Sequence, residues 1–410
     1  MVQEGKSNDS TAARWFTAVP HVYTGEPVFW NRDAGALCLA FRKLGIDSRF
    51  VAYGPGRTSG EEPIELCSPA EMENASWWQQ WKLRGVVLTS WAAPRYEPIA
   101  RAIKQSGAIL IMRMDSDGLK SPRQDFWRFL YFQYYFHRDN QRKLPLFQAV
   151  GKTLAFRLFP TLYEKPMLRH FEHADIILIE SPLAREALAR FFCTVGRSHL
   201  VSRLRMVSWP ARGEVRFDPA SQKQKQIIAV GRWQTCQKDA PTLLQVLRQA
   251  LVQQVDYTAF LVGPGEQLLA KLMQDLPTSV KNRIRVCGSI PFEEVQKHYQ
   301  TSQVILFTSR FEGFPFAASE ALLAGCTLVG PGTIPAFNYI CSLNSGSASL
   351  SRRPHDLADA LMLEIGKWTT GERNPFQLSD FWQRHLSETA VAKAILQSGG
   401  HQVEDLTPSR

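Results

Sequence analysis

Short apolar runs alternate with segments of helical period along most of the chain. "WFTAVPHVYT" is strand-like and precedes "DAGALCLAFRKLG", which stops on Gly45, a natural helix C-cap. "SRFVAYG", "RGVVLTSW" and "AILIMRMDSDG" follow as strands, with "PRYEPIARAIKQSG" as a helix between the last two. "ADIILIESPLAREALARFF" again reads strand, turn, helix. The pattern restarts at "QKQIIAVGRW", a strand that ends on Gly-Arg before a helix opening near Ala240. "YTAFLVGPGE", "RIRVCGSIP", "SQVILFTSR" and "CTLVGPG" supply four more strands, most ending in Gly, Ser or Pro. Strands and helices taking turns predict parallel sheets with helices on both faces.

The expected fold class is therefore α/β, with two Rossmann-like, doubly wound domains facing one another across a cleft. Residues 1–14 read as a disordered lead-in and 15–202 as the first domain. Residues 203–226, with Pro210, Gly213, Pro219 and a polar "SQKQKQ", read as a linker. The second domain is expected over 227–375. The tail "SDFWQRHLSETAVAKAILQSG" predicts an amphipathic helix over 376–400, with Ser379 and Asp380 as cap candidates, either packing locally or crossing back to the first domain.

One segment breaks the rhythm. From Lys120 to Glu172 the chain is dense in rings and carries ten Lys and Arg against four Asp and Glu, so it supplies +6 of the total net charge of +10. It reads as a helical insert, either packed inward with solvated charges or forming a surface for anionic lipid or an anionic acceptor. The isoelectric point near 9.3 favours anionic partners of some kind. No apolar run reaches the ~20 residues of a transmembrane helix. The polar N-terminus lacks the layout of a secretory signal, so a cytoplasmic setting with membrane association as an option is expected. Seven scattered cysteines, with no C-x-x-C pair, argue against a disulfide framework and against a zinc site.

The chemistry concentrates at strand ends of the second half. In "SQVILFTSRFEGFPFAASEALLAG" a strand, a Gly-Phe-Pro turn and a small-residue helix carry Glu312 in the turn and Glu320 inside the helix. The helix start offers unpaired N–H groups and a partial positive charge. Gly313 lets the backbone approach a ligand closely. Two carboxylates beside such donors are redundant for an anion but suit a ligand with vicinal hydroxyls. Taken alone, they also fit helix-end acids that favour the dipole. In "AVGRWQTCQKDAPTLL", Gly231 and Arg232 follow a strand and Lys238 precedes a helix, which suits a diphosphate. Cations on one strand end and diol-binding acids on another describe a nucleotide-sugar site.

At this point the chain resembles a family. "AVGRWQTCQK" and the E-x7-E of "EGFPFAASEALLAG" are similar, in order and spacing, to the donor domain of the retaining GT-B glycosyltransferases of family 4, the glycogen synthase-like and bacterial mannosyl- and glucosyltransferases. "FLVGPGE", "VCGSIPFEEVQKHYQTSQVILFTS" and the late "LVGPG" look like the intervening strands. The resemblance covers 225–335 well, and the first half as a rhythm plus "HADIILIESPLAREAL". It implies a glycosyltransferase that moves a hexose from a UDP- or GDP-sugar to a glycan, lipid or other hydroxyl acceptor, with retention, without a metal and without a cofactor. It also implies roles: Arg232 and Lys238 on the donor diphosphate, Glu320 on the ribose, and Glu312 on the transferred sugar, with the backbone of Phe314, Phe316 and Ala317 assisting.

The first half departs from the family pattern. A single Gly25 stands where a Gly-Gly loop is usual. "LTSWAAPRY" and "MRMDSDG" stand where a histidine often follows a strand, with His21 nearby. Asp115 and Asp117 of "MDSDG" fall on the acceptor side, as a plain turn or as hydroxyl acceptors, with Asp115 a catalytic candidate. The alternatives left open are a nucleotide-sugar epimerase of the same architecture and a non-catalytic membrane-surface protein. Nucleic acid is the weaker partner, because rings and cations cluster in one insert rather than along an RNA module.

Overall fold

The structure, a computed structural model, describes residues 14–25, 30, 33–55, 62–139 and 145–401. The expected lead-in lies outside the described residues except for Arg14, which opens the first strand. Among the described residues thirteen strands form two sheets. The first contains β1 (Arg14–Val22), β2 (Asp47–Tyr53), β3 (Ile64–Cys67), β4 (Gly85–Thr89), β5 (Ile109–Arg113), β6 (Ile176–Ile179) and β7 (Leu204–Met206), in the order 3-2-1-4-5-6-7. The second contains β8 (Gln224–Val230), β9 (Thr258–Val262), β10 (Ile284–Gly288), β11 (Ser302–Leu306), β12 (Thr327–Pro331) and β13 (Gly346–Ser349), in the order 10-9-8-11-12-13. The pairings within the second sheet are parallel throughout.

Central strands of such sheets are apolar on both faces, and β8 shows why. Ile227 and Ala229 join a core with Leu243, Leu244 and Leu247 of helix Ala240–Gln253. Ile228, pointing the other way, joins a separate core with Tyr299 and Leu322. Alternation along one strand thus feeds two helical layers. The strand order reverses between β8 and β11, which are hydrogen-bonded neighbours. In an open α/β sheet that reversal leaves a crevice beyond the carboxyl ends of the two strands.

The chain divides into two compact units. One holds the described residues of Met1–Arg113, Arg169–Ile177 and Ala392–Arg410; the other holds Met114–Leu168 and Leu178–Val391. The stretch expected as a linker is strand at both ends, with β7 near its start and β8 opening at Gln224.

The expected single tail helix is two. Helix Pro375–Leu386 is capped by Asn374, whose side chain accepts from the amides of Phe376 and Gln377, with Pro at the first helical position. Ser379, expected as a cap, is instead buried in that helix and donates to the Leu323 carbonyl at 2.5 Å. Asp380 lies on the exposed face, in an i,i+4 pair with Arg384. Helix Glu388–Ser398 then carries the chain into the first unit, as the crossing expectation held. There Arg84 Nη2 donates to the Gly400 carbonyl at 2.9 Å, and Gly399 lies so close that a Cβ would sit 2.4 Å from the Trp15 ring.

The first unit holds a titratable device. His170 is fully buried; its Nδ1 lies 3.0 Å from the Ala93 carbonyl and its Nε2 3.1 Å from Ser90 Oγ. Nδ1 donates to the carbonyl, so Nε2 accepts from the hydroxyl, and the ring is neutral. Burial pushes its pKa down to about 4, against a weaker opposing effect of the Ala93 hydrogen bond. The unfolded chain takes up this proton near pH 6.5 and the folded chain only near 4. Stability is therefore full above pH 6.5 and falls as pH drops toward 4, by up to about 3 kcal/mol. Urea titrations from pH 7.5 to 5 are expected to show a steeper loss in the wild type than in His170→Gln; parallel curves would contradict it.

Candidate functional site

The loop after β8 is shaped by contacts that leave no room for side chains. A Cβ on Gly231 would sit 3.1 Å from Lys238 Cγ and 3.3 Å from the Trp233 ring. Gly263, after β9, has φ +110, and a Cβ there would lie 2.1 Å from the Gly231 carbonyl oxygen. Trp233 is buried and pinned twice, by its amide to the Pro264 carbonyl (2.8 Å) and by its indole to the Val262 carbonyl (3.1 Å). With the loop held this way, Arg232 stands exposed at the strand end. Lys238 runs back over Gly231.

Lys238 reaches the turn after β11. Its Nζ donates to Glu312 Oε1 at 2.5 Å, and both side chains are mostly buried. Gln237 adds two bonds, to Glu312 Oε2 at 3.2 Å and to the Phe311 carbonyl at 3.0 Å. The Arg310 amide returns one to the Gln237 carbonyl at 2.8 Å. The two strand-end loops at the switch point are thereby tied side chain to side chain and backbone to backbone. Lys238 has three donors and spends one on Glu312, so the ammonium retains donors for an anion.

Helix Phe316–Leu323 follows the turn, and its N-cap residue is Pro315, which supplies no side-chain cap. The first turn of the helix therefore receives no side-chain cap from its N-cap residue. Gly313 is the closest approach: a Cβ there would lie 2.1 Å from Asp115 Oδ1, and the Phe314 amide is 3.4 Å from the same oxygen. Asp115 follows β5 with φ +48, a left-handed conformation that costs a non-glycine residue about 1 kcal/mol or more. The fully buried Glu180 holds it there, accepting from the amides of Asp115 (2.6 Å) and Ser116 (3.1 Å).

Other acids and cations complete the rim. Asp239, at the N-cap of helix Ala240–Gln253 with φ +53, accepts from Arg310 Nη2 at 2.9 Å and from Arg352 Nη2 at 2.7 Å. Arg310 also bonds the Tyr131 hydroxyl and lies 5.3 Å from the Tyr135 ring centroid. Sequence reasoning passed over Gln237, Asp239, Arg310 and Arg352. Arg310 carried the same signal as Arg232, a cation at the end of a strand beside a helix start.

The structure thus gathers Gly231, Lys238, Glu312, Gly313, Phe314 and Asp115, with Arg232 exposed at the same strand end. Other expected residues have partners of their own or lie in the other unit. Glu320 is fully buried inside its helix; Arg212 grips it through Nε (2.5 Å) and Nη2 (3.2 Å), and the Tyr299 hydroxyl donates at 3.1 Å. Burial, reinforced by Glu320, holds the Tyr299 hydroxyl well above its usual pKa. Arg212 in turn lies 4.1 Å over the Phe292 ring. Asp117 faces Arg128, which donates to it at 2.5 Å. In the other unit, His21 lies 5.4 Å from the Trp91 ring, and Gly25 takes φ +76 in open space.

Residues 224–363 match the family described as glycosyl transferases group 1. Over 109 residues the chain is 33% identical to the amylovoran biosynthesis glycosyltransferase AmsD of Erwinia amylovora, a match spanning 26% of this chain and 29% of that protein's length. Among solved structures, HepE of Anabaena in complex with UDP superposes with a TM-score of 0.64 at 14% identity, covering 94% of this chain and 99% of its own. The lipopolysaccharide outer core galactosyltransferase WaaB, in its apo form, gives 0.57 at 14%, covering 94% and 98%. These likenesses establish the GT-B fold for the two parallel sheets.

The Glu320 network carries its own test. Glu320→Ala leaves the partly exposed Arg212 guanidinium and the buried Tyr299 hydroxyl without their acceptor, which costs about 3 kcal/mol. Urea denaturation is expected to show that loss for Glu320→Ala and a smaller one for Glu320→Gln, whose amide oxygen still accepts. An unchanged midpoint for both would contradict the geometry.

Proposed function

We propose, from the match of residues 224–363 to the family described as glycosyl transferases group 1, that this chain transfers a hexose from a UDP- or GDP-sugar to the hydroxyl of a glycan, lipid or small-molecule acceptor, with retention of configuration and without a metal. The observation that carries the reading is the Lys238–Glu312 pair at the switch point of the second sheet, between two helix N-termini. The UDP complex of HepE, a protein of the same fold, supports a nucleotide donor.

The proposed chemistry follows from charge. As the glycosidic bond of the donor breaks, negative charge grows on the departing diphosphate. Arg232 and the free donors of Lys238 meet that charge, and the N-terminus of helix Ala240–Gln253 adds its dipole. Glu312 Oε2 accepts a hydroxyl of the transferred sugar, alongside the backbone amides of Phe316 and Ala317. Asp115, exposed over Gly313, offers a second hydroxyl acceptor on the same sugar. Ribose binding by Glu320 requires Arg212 to swing off the carboxylate, since both oxygens are occupied here.

Isothermal titration with UDP and GDP tests the donor site. One of the two is expected to bind the wild type, and Arg232→Ala to weaken it about tenfold or more, as loss of one charge-assisted bond of ~1.5–3 kcal/mol implies. Failure of the wild type to bind either nucleotide at millimolar concentration would sink the proposal. A changed sugar nucleotide in the absence of acceptor would replace transfer with epimerisation.

A further inference from the structure

The insert after β5 is built inside out. Helix Leu146–Leu158 buries Ala149 and Thr153, its small residues, and exposes Leu146, Phe147, Leu154 and Leu158. Phe147, Leu154 and Leu158 are seven and four residues apart, which places them on one stripe of the helix. Phe147 and Leu158 are 73% and 70% exposed, and Phe159 and Leu162 continue the exposure into the next helix, Thr161–His173. In helix Phe126–Asp139, Trp127 is 75% exposed. Eight of the seventeen large apolar side chains exposed among the described residues fall between 127 and 162. A soluble surface scatters such residues singly; a concentration of this kind marks a contact surface.

The charge around it selects the partner. Lys152, Arg157, Lys165 and Arg123 are exposed on the same insert, with Arg123 paired to the buried Glu164. Asp125 is the one exposed acid among the described side chains of 120–168. A second copy docking here by two-fold symmetry would set these cations against themselves. Bases of a nucleic acid stack on rings, yet half of the exposed groups are leucines, which offer no such platform. Apolar side chains interleaved with cations match the headgroup region of an anionic bilayer, where the first enter the acyl boundary and the second meet phosphates. No helix of the described residues is long and apolar enough to cross a membrane, so the contact is peripheral.

We propose that the exposed face of residues 123–135 and 145–165, with Phe147, Leu154 and Leu158 at its centre and Lys152, Arg157 and Lys165 around it, docks this protein on anionic membranes. The inference stands apart from the glycosyl transfer reading. Helix Phe126–Asp139 nonetheless links the face to the donor turn, since Phe132 packs 5.3 Å from the Phe311 ring and Arg128 lies 5.5 Å from it.

Vesicle co-sedimentation tests it, with phosphatidylglycerol-containing against pure phosphatidylcholine vesicles at low and physiological salt. The full chain is expected to sediment with the anionic vesicles only, and less at higher salt. Phe147→Glu with Leu158→Glu should lose binding. Lys152→Glu with Lys165→Glu should weaken it by roughly fivefold or more for each cation removed. Both double variants change exposed residues outside the donor site, so unaltered thermal unfolding and unaltered UDP or GDP affinity serve as controls on folding. Equal binding to neutral vesicles, no binding to either, or full binding by the variants would overturn the proposal. So would a wild-type dimer in sedimentation velocity that the Phe147→Glu, Leu158→Glu variant dissociates.

Discussion

Lys238 Nζ and Glu312 Oε1 stand 2.5 Å apart, and their pairing ties the loop after β8 to the turn after β11. The rest of the candidate site depends on that tie. A side chain on Gly231 would press on Lys238 where it lies back across the strand end, and one on Gly263 would strike the Gly231 carbonyl. Gln237 doubles the connection, and Arg310 closes it through the backbone. Without the ion pair each loop would carry a mostly buried charge with no counter-ion, a cost of several kcal/mol that the fold would have to relieve by opening the crevice. The crevice is therefore held in shape by the same two groups proposed to touch the donor.

That arrangement is how opposite charges would share the site proposed for an anionic substrate. A lone lysine beside a helix N-terminus would attract any phosphate. A lysine half-neutralised by Glu312 keeps a weaker field for anions and adds an acceptor for hydroxyls, so a ligand carrying both a diphosphate and a sugar satisfies more of the site than either alone. Asp239 tempers Arg310 and Arg352 in the same way. Asp115, held in a strained conformation by Glu180, brings a third carboxylate over Gly313.

What the sequence disclosed was local. Long apolar strands ending in Gly or Ser, and the residues directly after them, were legible: Arg232, Lys238, Glu312 and Gly313 are placed by their own strand ends. β3 and β13 escaped notice because "IELC" and "GSAS" are short, and the second has no large apolar residue to show period two. The tail read as one helix because its apolar spacing runs almost unbroken past Ser387, whereas the true start, Asn374 followed by Pro375, lies a few residues earlier. Glu320 was assigned by motif spacing, but its environment is set by Arg212 and Tyr299, far away in the chain. Contacts at that separation leave no spacing to read. The insert showed its charge in the sequence; which apolar side chains face outward required coordinates.

A crystal structure of the protein soaked with its preferred nucleoside diphosphate tests the central claim most directly. The account predicts phosphate oxygens within hydrogen-bond reach of Lys238 Nζ and the Arg232 guanidinium, above the N-terminus of helix Ala240–Gln253, with Lys238 and Glu312 still paired. A diphosphate seated elsewhere, with Arg232 and Lys238 touching no part of it, would contradict the account.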